Sequence, residues 1–245
     1  MRLGARLLPL LLLPGALACG ARHNPLATWA PSPNHNARRA QLIVLHHTAL
    51  ATFEEALKVL QTRNASGPVS CHYLIGRDGR LAQLVDEDRR AWHAGSGSWG
   101  TLRDVNAASI GIELDNTGAE PFPEAQIRTL LRLLEDLTTR LHIPRTQVVG
   151  HGDTLPALKE DPSVWFPWSR LAEAGFGLWP DSVRGEPPAG FDAQVALRLI
   201  GYDLGEPGAA TAAFRRHFRG LEGRELDEED LRILFNLQRK VMAGP

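Results

Sequence analysis

The sequence predicts an α/β fold in which a mixed central β-sheet is covered by helices, followed by a small all-α C-terminal domain. Three observations carry this. Apolar runs of strand length alternate with segments of helical period, the pattern of strands joined through helical crossovers. Two strand-like runs are separated only by Arg77-Asp78-Gly79-Arg80, a hairpin turn that makes one pair antiparallel and the sheet mixed. From Gly177 to Gly190 the composition shifts to Gly, Pro, Asp and Glu, which marks a linker before a helical unit over residues 191–245. With 245 residues, 43% hydrophobic and 22% charged, the chain can bury one substantial core and carry a second, smaller unit. A net charge of −1 without a long basic run excludes an overall electrostatic pull toward nucleic acid or acidic membranes.

Residues 1–18 read as a secretory signal peptide. Arg2 and Arg6 precede an apolar run from Leu7 to Leu17, broken only by Pro14 and Gly15, and small residues then lead to Cys19. The run is shorter than the roughly 20 residues a membrane-spanning helix needs. Ala16-Leu17-Ala18-Cys19 resembles a bacterial lipobox, which implies lipidation of Cys19, although alanine stands where leucine is commonest. Cleavage without lipid is the other reading. Gly20 after the cysteine points to the outer membrane in a Gram-negative host, facing the periplasm. Lipidation would leave Cys71 unpaired in an apolar stretch, as a small core residue. Residues 19–39, rich in Pro, Asn, Ala and His without periodicity, read as a tether or surface arm.

The main domain is expected over residues 40–176. Gln41 to Thr48 is a buried strand that ends on His46 and His47. Phe53, Ala56, Leu57 and Leu60 follow at helical spacing, with Thr52 as N-cap. The hairpin comes next, then the loop carrying Trp92 and His93, then a strand from Ser109 to Asn116 that contains Glu113. Ile127, Leu130, Leu131, Leu134, Leu137 and Leu141 line one face of a long helix between Pro123 and His142, closed by Pro144. A strand from Gln147 to Gly150 then delivers His151, and a loop carries Lys159 and Asp161.

An imidazole and a carboxylate ten positions apart on an irregular loop can bend back onto one ion, and His46 at another strand end could complete the set. The same residues are also compatible with an ordinary loop and incidental charges. Three protein ligands leave room for water, as in a catalytic zinc site. A carboxylate such as Glu113 could then carry the water's proton, and Lys159 could stabilise an oxyanion. Those groups together describe metal-assisted amide hydrolysis.

IVLHHTA, VSCHYLIGRDGRLAQLV, AWHAG, SIGIELDNTG and VVGHGDTLPALKEDPSVWFPW, in that order, resemble the successive motifs of the zinc-dependent N-acetylmuramoyl-L-alanine amidases of the amidase-2 type. Their fold is shared with peptidoglycan recognition proteins. The resemblance spans about residues 40 to 175. It implies zinc (Zn2+) held by His46, His151 and Asp161, with Glu113 and Lys159 as the catalytic pair. Trp92 and His93 are implied as part of the substrate cleft wall. The signal sequence and the C-terminal unit resemble the family's outer-membrane lipoprotein branch. His47, next to a ligand on a strand, should point away from the metal, and His72 reads as structural or substrate-flanking, not as a ligand.

The C-terminal segment places Phe214 and Phe218 at i and i+4, with Leu231, Leu234, Phe235 and Leu237 on a last helix. It resembles a three-helix peptidoglycan-binding module; a helical appendage packed on the main domain is the alternative. The resulting expectation is a monomeric, exported amidase acting on peptidoglycan or muropeptides. The competing reading is a non-catalytic peptidoglycan-recognition protein of the same fold.

Overall fold

Short β-strands and helices alternate along the chain as the apolar periodicity requires. The structure, a computed structural model, describes residues 23–37, 40–64 and 67–244. The segment read as a signal peptide, residues 1–18, and Cys19 lie outside them. Strands are β1 (Thr28–Trp29), β2 (His35–Ala37), β3 (Leu42–His47), β4 (Arg63–Asn64), β5 (Gly67–Pro68), β6 (Tyr73–Ile75), β7 (Leu81–Gln83), β8 (Arg89–Ala91), β9 (Ser109–Leu114) and β10 (Val148–Gly150). Helices are α1 (Phe53–Gln61), α2 (Val105–Ala108), α3 (Glu124–Arg140), α4 (His151–Thr154), α5 (Trp168–Glu173), α6 (Ala193–Ile200), α7 (Pro207–Arg219) and α8 (Glu228–Ala243). Among the described residues no helix is long and apolar enough to cross a membrane.

The main sheet runs β1-β7-β6-β9-β3-β10. Its β6–β7 hairpin is antiparallel and its other pairs are parallel, which makes the sheet mixed, flanked by helices. Side chains alternate between the two faces. Ile43, Leu45, Ile110, Ile112 and Leu114 point to one side, where α3 buries Ile127, Leu130, Leu133, Leu134 and Leu137 against them. Each such side chain contributes about 1.5–3 kcal/mol of apolar burial. Leu42 and Val44 point to the other side and share a core with Leu197, Phe214, Phe218, Leu234 and Leu237 of α6, α7 and α8. Farther along that same face, α1 packs Phe53, Ala56 and Leu60 on Leu74, Ala82 and Leu84.

Two local differences from the sequence reading have physical causes. Within the stretch read as a tether or surface arm, β1 pairs with β7 and β2 with β8. Ser32 Oγ also donates to the carbonyl of Leu60. Backbone and polar bonds make these contacts, so no apolar period announces them. His151 does not enter a loop directly but opens the short helix α4. That turn has no helical sequence signature, and Asp153 stabilises it by accepting from the backbone N–H of Gly150 at 2.7 Å.

Candidate metal centre and cleft

Register in the sheet builds the site. His46 on β3 lies beside Glu113 on β9 as Cα partners, and Gly150 on β10 lies beside Leu45. His46, Glu113 and His151 therefore meet at the ends of three adjacent strands. The loop after α4 is drawn back by a backbone hydrogen bond from the N–H of Gly152 to the carbonyl of Asp161, 2.7 Å. A side chain at Gly152 would crowd the carbonyls of Lys159 and Asp161. His47 projects to the opposite side of its strand and accepts from the N–H of Ser163, 3.2 Å, tying down the same loop.

The outcome is a compact donor set. His46 Nδ1 lies 3.0 Å and His151 Nδ1 3.2 Å from the same Asp161 Oδ2, and one donor atom from each residue falls within 4.8 Å of the others. Bonds of roughly 2.0 Å in a tetrahedral zinc site put neighbouring ligand atoms about 3.3 Å apart, so these separations fit a metal. Burial, with His151 acting in the same direction, lowers His46 to about 4. The ring is neutral at pH 7, the form that binds metal. His46 Nε2 is engaged on its far side by His93 Nδ1 at 3.0 Å.

Glu113 stands beside this set with one carboxylate oxygen buried and unpartnered. Burial pushes its carboxyl up to about 8, with Asp161 adding to the rise and Lys159 opposing it. The cleft, ≈ 630 Å³, is lined by His46, His151, Asp161, Glu113, Lys159, Trp92 and His93. It runs between α1, which contributes Ala56, Val59 and Leu60, and Glu222 just beyond α7. A volume of this size suits a small molecule or a short peptidyl fragment. His72 is tied to the backbone, with Nδ1 accepting from Gly111 N–H at 2.9 Å. Cys71 is a buried free thiol, raised well above its ordinary value by burial.

Several residues of this region escaped the sequence reading. Ser109 and Gly111 share the Glu113 face of β9, and the Ser-Ile-Gly-Ile-Glu alternation was the signal that could have grouped them. Asp153, Tyr202 and His217 form a buried cluster behind His151. Asp153 accepts from Tyr202 Oη at 2.8 Å and from His217 Nδ1 at 2.7 Å. Nothing in local periodicity links residues so far apart.

Comparison with known proteins gives the following. Residues 36–164 match the Amidase_2 family model, described as N-acetylmuramoyl-L-alanine amidase. The chain is 36% identical over 213 residues to the N-acetylmuramoyl-L-alanine amidase AmiD of Escherichia coli, covering 74% of this chain and 75% of that one. The solved structure of E. coli AmiD in complex with the substrate anhydro-N-acetylmuramic acid-L-Ala-D-gamma-Glu-L-Lys superposes with a TM-score of 0.72. It is 33% identical and the match covers 83% and 90% of the two chains. The crystal structure of AmpDh3 from Pseudomonas aeruginosa gives a TM-score of 0.74 at 32% identity, over 83% and 92%.

Proposed function

The chain belongs to the Amidase_2 family of N-acetylmuramoyl-L-alanine amidases, and from that premise we propose that it is a zinc-dependent hydrolase of cell-wall material. The bond cut joins the lactyl group of N-acetylmuramic acid to L-alanine of the stem peptide. The observation that carries the proposal is the gathering of Glu113 and Lys159 in one cleft with the donor set of His46, His151 and Asp161.

His46, His151 and Asp161 would hold the zinc, which when bound would supply a Lewis acid for the amide carbonyl and acidify water. Glu113 is the proton carrier. It takes a proton from the attacking water as the water oxygen bonds to the carbonyl carbon. It delivers that proton to the alanine nitrogen as the carbon–nitrogen bond breaks, leaving a lactyl carboxyl group and a free amine. Burial of Glu113 suits this role, because an affinity for protons near neutral pH serves both steps. Lys159 offsets the negative charge that develops on the carbonyl oxygen.

The substrate class follows from the AmiD complex, whose ligand joins a muramic sugar to a peptide. Trp92 and His93 contribute to the cleft wall here. A monomer is the expected form, because His46, His151 and Asp161 complete the donor set without a residue from a second copy. Export by residues 1–18 and lipid attachment at Cys19 would hold it at the outer membrane, facing the periplasm, with residues 191–245 available to the wall. The test is mass spectrometry of purified peptidoglycan incubated with the protein, then with a chelator, then with zinc restored. Stem peptides with a free L-alanine amine, formed only when metal is present, are expected. Wall binding without such peptides would make the protein a recognition module and sink the proposal.

A further inference from the structure

We infer that His93 is a positioning residue for His46, acting through a hydrogen-bond relay that runs from His46 through His93 and Ser109 to the carbonyl of Val105 and fixes which nitrogen of His46 is bare. The inference rests on the metal-site reading above and deepens it.

The relay can be read from its far end. Ser109 Oγ lies 2.5 Å from the carbonyl oxygen of Val105. That oxygen has no proton, so the hydroxyl proton points at it and Oγ is left to accept. His93 Nε2 lies 3.2 Å from the same Oγ and is therefore the protonated nitrogen of its ring. A neutral imidazole has one proton, which leaves a lone pair on His93 Nδ1. The 3.0 Å contact between His93 Nδ1 and His46 Nε2 is then bridged by a proton on His46. His46 Nδ1 is the bare nitrogen, and it lies 3.0 Å from Asp161 Oδ2. A lone pair against a carboxylate oxygen is repulsive until a cation lies between them. The relay thus selects the His46 tautomer that serves as a ligand and opposes the one that would merely hydrogen-bond to Asp161.

The placement of His93 is built into the strand beneath it. A Cβ on Gly111 would meet three atoms of the His93 ring at 2.5 to 2.7 Å, so only glycine leaves room for the ring over β9. The backbone is held as well, since Asn106 Oδ1 accepts from the N–H groups of His93 and Ala94 at 2.8 Å each. Asn106 is itself buried. Ser109 and Gly111 thus serve the relay from the same sheet face that carries Glu113.

The test has two readouts. Long-range 15N–1H correlation spectra of the wild-type protein should show neutral His93 protonated at Nε2, and Ser109→Ala should move that resonance. Zinc affinity, measured by competition with a chromophoric chelator, should weaken about 10- to 100-fold in His93→Phe. His93→Asn, whose carboxamide oxygen can still accept from His46, should recover most of the loss. Gly111→Ala should weaken zinc while circular dichroism reports an intact fold. His93 protonated at Nδ1, or wild-type zinc affinity in a folded His93→Phe variant, would overturn the relay. Absence of zinc binding by the wild type would instead remove the metal-site reading itself, and the spectra would still report on His93.

Discussion

In the proposed mechanism Glu113 is the residue on which the chemistry and the pH response converge. Glu113→Gln preserves shape but cannot carry a proton, so turnover should fall about 10²- to 10⁴-fold. Metal content measured by elemental analysis should stay at wild-type level, because Glu113 is outside the donor set. The same residue has a consequence for the metal-free protein. A carboxyl raised from 4.5 to about 8 binds its proton more tightly folded than unfolded, so its contribution to stability falls as pH rises through that window. In chelator, the Tm of wild type relative to Glu113→Gln should therefore decline from pH 5 to pH 8 and level off above. Parallel Tm curves for the two proteins would refute the assigned environment. At this scale the sequence was informative about the strand ends, since an apolar run that stops on a histidine points to a polar tip. It said less about His93, because a ring lying over Gly111 and reaching His46 is a cross-strand event that no spacing along the chain expresses.

The element that fixes one end of the candidate metal centre is α4. His151 opens it, and Asp153 two positions on closes its first turn by accepting from Gly150 N–H. The same Oδ2 also receives His217 Nδ1, Oδ1 receives the Tyr202 hydroxyl, and His217 stacks on Trp168 at 3.7 Å between ring centroids. Asp153→Ala leaves three donors without their acceptor, at about 1–3 kcal/mol for each that stays buried. Urea denaturation should show a loss of about 3 kcal/mol or more, and zinc affinity should drop with it as His151 loses its fixed helix start. A destabilised variant that binds zinc as tightly as wild type would show that α4 does not position the ligand. α4 was illegible in the sequence because Gly152, Asp153 and Thr154 are weak helix formers. Its stabilising partners lie about 50 and 65 positions away, beyond any local window. By contrast α3 was legible, since its leucine stripe alone predicts a buried face. The structure adds Leu133 to that stripe.

At the scale of the whole molecule, the C-terminal helices are part of the fold that makes the site. The composition between Gly177 and Gly190 has the Gly and Pro content of a linker, yet Trp179 packs against both sheet cores. Asp181 is bound by Asn236 and Lys240, and Arg184 pairs with Glu229. The sequence could not show this, because a segment pinned by aromatic packing and ion pairs has the same composition as a free one. Leu42, Val44 and Val149 of β3 and β10 have α6, α7 and α8 as their cover, and these are the two strands that present His46 and His151. Truncation after residue 190 would expose that face and remove both side-chain partners of Asp153, Tyr202 and His217. Calorimetry of the full chain should therefore show one cooperative transition, and the truncated chain should bind zinc more weakly, aggregate, or both. Two separate transitions in the full chain, or a soluble truncated chain with full zinc affinity, would instead establish the helices as a detachable module. The outcome also bears on wall recognition: Glu222, which follows α7, lines the same cleft as Lys159, so substrate entering the site would pass along a wall that the C-terminal unit supplies.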